Sequence, residues 1–120
     1  MLLPGWRALP ALVALCCVPA AVQAHAILLE SQPAAGATVA AGHVDLRLRF
    51  NSRIDAGRSR LTLTRPDLSQ AVLPAGGAGA GNVLTAAADL APGAYALRWQ
   101  VLAIDGHITR GDITFTVTEN

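Results

Sequence analysis

Three histidines are the residues best suited to metal chemistry in this chain, and two of them stand where one ion could be shared. His25 follows a segment laid out as a secretory leader, so a cut after Ala24 makes it the first residue of the mature protein. Its free amine and imidazole Nδ1 could then grip one metal in a six-membered chelate that needs no folding beyond a single residue. Asp105-Gly106-His107 places a carboxylate and an imidazole at i and i+2. The glycine between them allows a tight turn that points both side chains at one spot. Together the set offers three nitrogens and one oxygen. Tetragonal N,O coordination suits Cu(II), which also heads the affinity order for such ligands, with zinc and nickel weaker. Asp-Gly is also an ordinary turn dipeptide, and a histidine after it can simply be solvated. Spacing alone does not bring His25 to the Asp105 turn.

The leader reading covers residues 1–24. Arg7 supplies a short basic region, Ala8–Val18 an apolar stretch too short to span a bilayer, and Pro19 a helix break. Val22-Gln23-Ala24 gives small residues at −3 and −1. Ala24-His25-Ala26 repeats the A-x-A form, and a cut after Ala26 would delete His25. Cys16-Cys17 lacks the preceding small residue of a lipoprotein signal. Removing 24 of 120 residues leaves 96, enough for one domain. Both cysteines and the only methionine go with the leader, so the mature chain holds no soft sulfur ligand and disfavours a Cu(I) site. Arg7 goes too, leaving eight arginines against eight acidic residues. That neutral, scattered balance argues against nucleic acid as a partner. No mature stretch approaches a membrane span.

The elements that would carry these residues are strands. Val44, Leu46, Leu48 and Phe50 alternate with Asp45, Arg47, Arg49 and Asn51. Tyr95, Leu97, Trp99 and Val101 share one face of Gly93–Leu102, and Ile113, Phe115 and Val117 repeat the pattern near the C-terminus. Shorter candidates are Ile27–Ser31, Arg60–Arg65, Gln70–Leu73 and Asn82–Ala86. Proline, glycine, asparagine and aspartate punctuate the gaps. Ala86–Leu90 is the one helical hint, and Ala75–Gly81 reads as a flexible loop tip. About seven short strands in a hundred residues predict an all-β, immunoglobulin-like Greek-key β-sandwich.

Several motifs resemble the CopC/PcoC copper-resistance family. The stretch from His25 through Ser31-Gln-Pro-Ala-Ala-Gly36 is similar to that family's mature opening, in which a leading His precedes S-x-P-A-x-G. Val44–Phe50 resembles its second strand. Gly93-Ala-Tyr95-Ala-Leu-Arg-Trp99-Gln-Val101 followed by Asp105-Gly106-His107 resembles G-x-Y-x-x-x-W-x-V-x-x-x-D-G-H, and Gly111–Val117 its closing strand. The likeness spans residues 25–120. It implies a periplasmic immunoglobulin-like sandwich that binds Cu(II) through His25, Asp105 and His107, with no catalytic role. It further implies hand-over of copper to an inner-membrane partner of the CopD type, by a chain expected to be monomeric. Family members with a Met-rich Cu(I) loop differ from this chain, which resembles the Cu(II)-only type. Ile104 stands where the family often has a small polar residue, and Ile27 where many members have a second early His.

Other residues read as scaffold. His43 fits a solvated turn, Glu30 an exposed strand position, Asp112 a strand edge, and Tyr95 and Trp99 the core. The strand leading from Trp99 runs into the Asp105 loop, which could bring the indole near the site. Two other functions fit parts of the pattern. An N-terminal His chelate with another His also resembles copper monooxygenases, though 96 residues leave little substrate surface. A metal-free sandwich acting as an interaction module needs none of these ligands.

Overall fold

A computed structural model of the protein describes residues 25–119, which form strands and turns without a helix. The expected leader, residues 1–24, lies outside the described residues. Nine strands follow in order: β1 (Leu28–Gln32), β2 (Thr38–Ala40), β3 (Gly42–Phe50), β4 (Ile54–Thr64), β5 (Gln70–Leu73), β6 (Gly76–Ala78), β7 (Val83–Leu90), β8 (Gly93–Ala103) and β9 (Ile108–Thr118). They pair into a four-stranded sheet, β1-β3-β7-β6, and a five-stranded sheet, β2-β9-β8-β4-β5.

Period-two alternation makes each sheet half apolar, and the two apolar faces can leave water only by packing together. Val44, Leu46, Leu48 and Phe50 are buried from β3, while the intervening Asp45 and Arg47 stay exposed. Leu61 and Leu63 of β4, Tyr95 to Val101 of β8, and Ile113, Phe115 and Val117 of β9 answer them from the other sheet. Phe50 and Trp99 meet edge to face across the sandwich at 5.3 Å. Tyr95 stacks on Phe115, and its hydroxyl donates to the Ala91 carbonyl four residues upstream at 2.7 Å. This is the tyrosine corner of immunoglobulin-like sandwiches.

Seven of the strands lie where sequence periodicity predicts them, and two very short ones add to that set. Thr38–Ala40 becomes a strand by pairing in parallel with Thr116–Thr118. Gly76–Ala78, expected as loop, pairs with Val83–Thr85. The helical hint at Ala86–Leu90 yields to sheet because β3 pairs with this segment along its whole length, from Gly42 opposite Leu90 to Arg49 opposite Val83. β4 starts six residues before the expected Arg60. A bulge between Asp55 and Arg60 interrupts its pairing with β8, and the Ser59 hydroxyl fills the gap by accepting the Leu102 N–H at 3.2 Å.

Candidate metal centre

One end of the sandwich gathers the first described residues, from His25, the β3–β4 connection and the β8–β9 turn. The turn is fixed by its own backbone: the Ala103 N–H donates to the His107 carbonyl at 2.7 Å, and the Gly106 N–H to the Ala103 carbonyl at 2.9 Å. A further bond, from the Ile104 N–H to the Arg53 carbonyl at 3.2 Å, ties it to the β3–β4 connection. Gly106 sits at φ +95°, a conformation that an L side chain rarely adopts, which is the physical use of glycine in this D-G-H turn.

Asp105 faces His107 twice. Its Oδ1 accepts the His107 backbone N–H at 3.1 Å, and its Oδ2 lies 3.2 Å from His107 Nδ1. The His107 backbone N–H foremost holds the Asp105 carboxyl below its ordinary range; it outweighs the opposing effect of burial, and the His107 imidazole adds a smaller lowering. It therefore remains an anionic oxygen donor through mild acid. Both side chains stay accessible from solvent.

His25 reaches the same place. Its ring centre lies 5.2 Å from that of His107, with the planes at 70°. Two imidazoles bonded to a common metal at about 2.0–2.1 Å would hold their ring centres about 4.5 to 6 Å apart. The pair fits that span. Among the described residues, no three His, Cys, Asp or Glu side chains are already drawn into a metal cage. The approach is pairwise, His25 to His107 and His107 to Asp105. In the 120-residue chain the His25 nitrogen is an amide bonded to Ala24, so the fourth donor exists only once that bond is cut.

Other titratable residues are placed elsewhere. His43 is the second residue of β3, and seven residues of strand, about 23 Å, separate it from Phe50 at the site end. Its two ring nitrogens face Asp45 at 3.2 Å and Asp89 at 3.3 Å, on opposite edges of the imidazole. Glu30 pairs with Arg49 at 3.2 Å, and Asp112 with Arg98 at 3.0 Å. Trp99 is buried, and its ring covers Gly111, the residue opposite it on β9. Two residues along β9 from Gly111, Thr109 donates to the Ala26 carbonyl beside His25. Sequence reasoning passed over Thr109 and Asn51, whose contacts span 83 and 24 residues and leave no local pattern.

Fold and site together define an immunoglobulin-like β-sandwich with a His and Asp-x-His grouping at one end. The chain belongs to the CopC family: residues 28–118 match its CopC domain. Asp105 and His107 fall inside the match, and His25 stands three residues ahead of it. Protein YobA of Escherichia coli K12 is 33% identical over 115 residues, covering 83% of this chain and 84% of that protein. Copper resistance protein C of Pseudomonas syringae pv. tomato is 31% identical over 108 residues, covering 83% and 86%. Among solved structures, CopC from Methylosinus trichosporium OB3b superposes with a TM-score of 0.74 at 30% identity, covering 80% of this chain and 96% of that one. PcoC from Escherichia coli, described as a methionine-rich copper resistance protein, gives 0.63 at 29%, covering 79% and 100%. The family is one of copper-binding resistance proteins, not of enzymes.

Proposed function

We propose that residues 1–24 are a cleaved leader and that residues 25–120 act in the periplasm as a monomeric Cu(II)-binding protein. His25 supplies amine and imidazole, His107 a third nitrogen, and Asp105 an anionic oxygen that partly neutralises the dication. The observation that carries this reading is the approach of the His25 ring to His107, whose other neighbour is Asp105. Copper-resistance relatives give the same direction, as does the donor set, which suits Cu(II). The only methionine here is Met1, so a soft Cu(I) site like that of a methionine-rich protein has no ligands in the mature chain.

Burial also favours a cut after Ala24 over one after Ala26. Ala26 is 1% exposed and its carbonyl accepts from Thr109, while the Ile27 N–H donates to Asn51 Oδ1 at 2.7 Å. Cutting after Ala26 would remove a core methyl and its carbonyl bond along with the chelating histidine. The role that follows is sequestration or carriage of copper, with release to an inner-membrane partner of the CopD type. The amine and imidazoles must shed protons to bind, so acid opposes loading.

The test is a titration of the exported protein with Cu(II). Trp99 is the single tryptophan left after the leader, and its strand ends at the Asp105 turn. The expected result is quenching of its fluorescence that saturates at one equivalent, together with an intact mass beginning at His25. A mass beginning at Ile27 with no bound equivalent would overturn the proposal.

A further inference from the structure

The first three residues described bridge the open end of the sandwich. Ala26 buries its methyl in the core between the sheets, and its carbonyl accepts from Thr109 Oγ1 at 2.9 Å, which ties it to β9 of the five-stranded sheet. Ile27 is tied to the other sheet. Its carbonyl accepts the Asn51 backbone N–H at 2.9 Å, continuing the β1–β3 ladder one step beyond the Leu28–Phe50 pair. A regular antiparallel pair would return a second bond, from the Ile27 N–H to the Asn51 carbonyl. β3 has ended by then and the backbone turns away towards β4. The Asn51 side-chain oxygen takes the place of that carbonyl, at 2.7 Å. Two side chains, one per sheet, therefore hold the segment immediately after His25, and a histidine with its next two residues fixed has few directions left.

We propose that Asn51 and Thr109 are positioning residues that aim His25 at the Asp105–His107 turn before any metal arrives. The inference rests on the reading of His25 as the N-terminal ligand. Neither side chain need touch the ion. Each shortens the search that the chelate must make to meet the second imidazole, and outer partners of this kind typically contribute about 10–100-fold to metal affinity. The same geometry makes the chain start register-dependent, because the anchored carbonyl lies one residue from the histidine.

The test uses the exported, processed protein and Cu(II) itself, in competition with a chromophoric chelator. Thr109→Val removes the hydroxyl at nearly constant shape, and Asn51→Ala removes the acceptor. Each is expected to lower affinity about 10-fold. Thr109→Ser and Asn51→Asp keep the oxygen and are expected to stay within about 3-fold of the parent, against the tenfold that marks a lost partner. A second readout needs no metal: in the copper-free protein, proton NMR should show a nuclear Overhauser contact between the His25 and His107 rings that Thr109→Val loses. The His25→Ala background separates this proposal from its premise. There, with only the amine left to aim, Thr109→Val should cause a much smaller further loss than in the parent. An equal loss with or without His25 would make Thr109 a fold residue and overturn the proposal. Unchanged affinity in both Thr109→Val and Asn51→Ala would do so as well. If His25→Ala alone leaves affinity intact, the ligand reading itself has failed, and this inference falls with it.

Discussion

His25→Ala is expected to lower Cu(II) affinity by more than about 100-fold, beyond the range typical of losing an outer partner, while leaving the fold intact. The substitution deletes one imidazole and breaks the chelate, and the amine alone is left as a monodentate donor. His25 is exposed and lies outside the buried hydrophobic cluster, so unfolding by urea should be little changed. One extra residue ahead of His25 provides a sharper version of the same experiment. It keeps every side chain and converts the amine to an amide, and it should weaken binding nearly as much. Competition titrations of both variants check the expectation. Retention of parental affinity in both would remove His25 from the site.

Phe50→Ala should produce the largest loss of stability, about 3–5 kcal/mol. Phe50 is fully buried and meets Trp99 from the facing sheet, so truncation opens a cavity where the two layers touch. A domain of this size has only about 5–15 kcal/mol in total. Each kcal/mol moves the midpoint by about 4–8 °C, so thermal unfolding should fall by about 12–40 °C. The proposed copper site would suffer through the backbone, because Phe50 precedes the Asn51 that clasps Ile27. A midpoint within a few degrees of the parent would show that the sheets are not held together at this contact.

Much of this architecture could be read from the sequence because half-buried antiparallel strands write their burial as alternation. Val44–Phe50 is the clearest case, each apolar residue buried and each intervening Asp45 or Arg47 exposed. Where pairing rather than side-chain pattern makes the strand, sequence was silent. Thr38–Ala40 and Gly76–Ala78 are strands only because distant partners supply hydrogen bonds, and propensity is overridden by context. The start of β4 was hidden because its bulge breaks the alternation across Ala56-Gly57-Arg58. Residue types at the proposed metal site were equally legible, the D-G-H turn through its glycine and His25 through its place after a leader-like segment ending in Val22-Gln23-Ala24. Their meeting was not. His25 and Asp105 are brought to one end by β-strand connectivity, and the Thr109 and Asn51 bonds that hold the segment are invisible to any local window. Resemblance to the CopC family supplied that juxtaposition before the fold did.

In the proposed site one Cu(II) is held by three nitrogens and one carboxylate oxygen around His25. Electron paramagnetic resonance of the exported protein with one equivalent of Cu(II) tests it most directly. The expected spectrum is that of a single tetragonal site with nitrogen superhyperfine structure from three donors, falling to a one-nitrogen-poorer pattern in His107→Ala. A spectrum matching copper in buffer alone, or one unchanged by His107→Ala, would contradict the assignment.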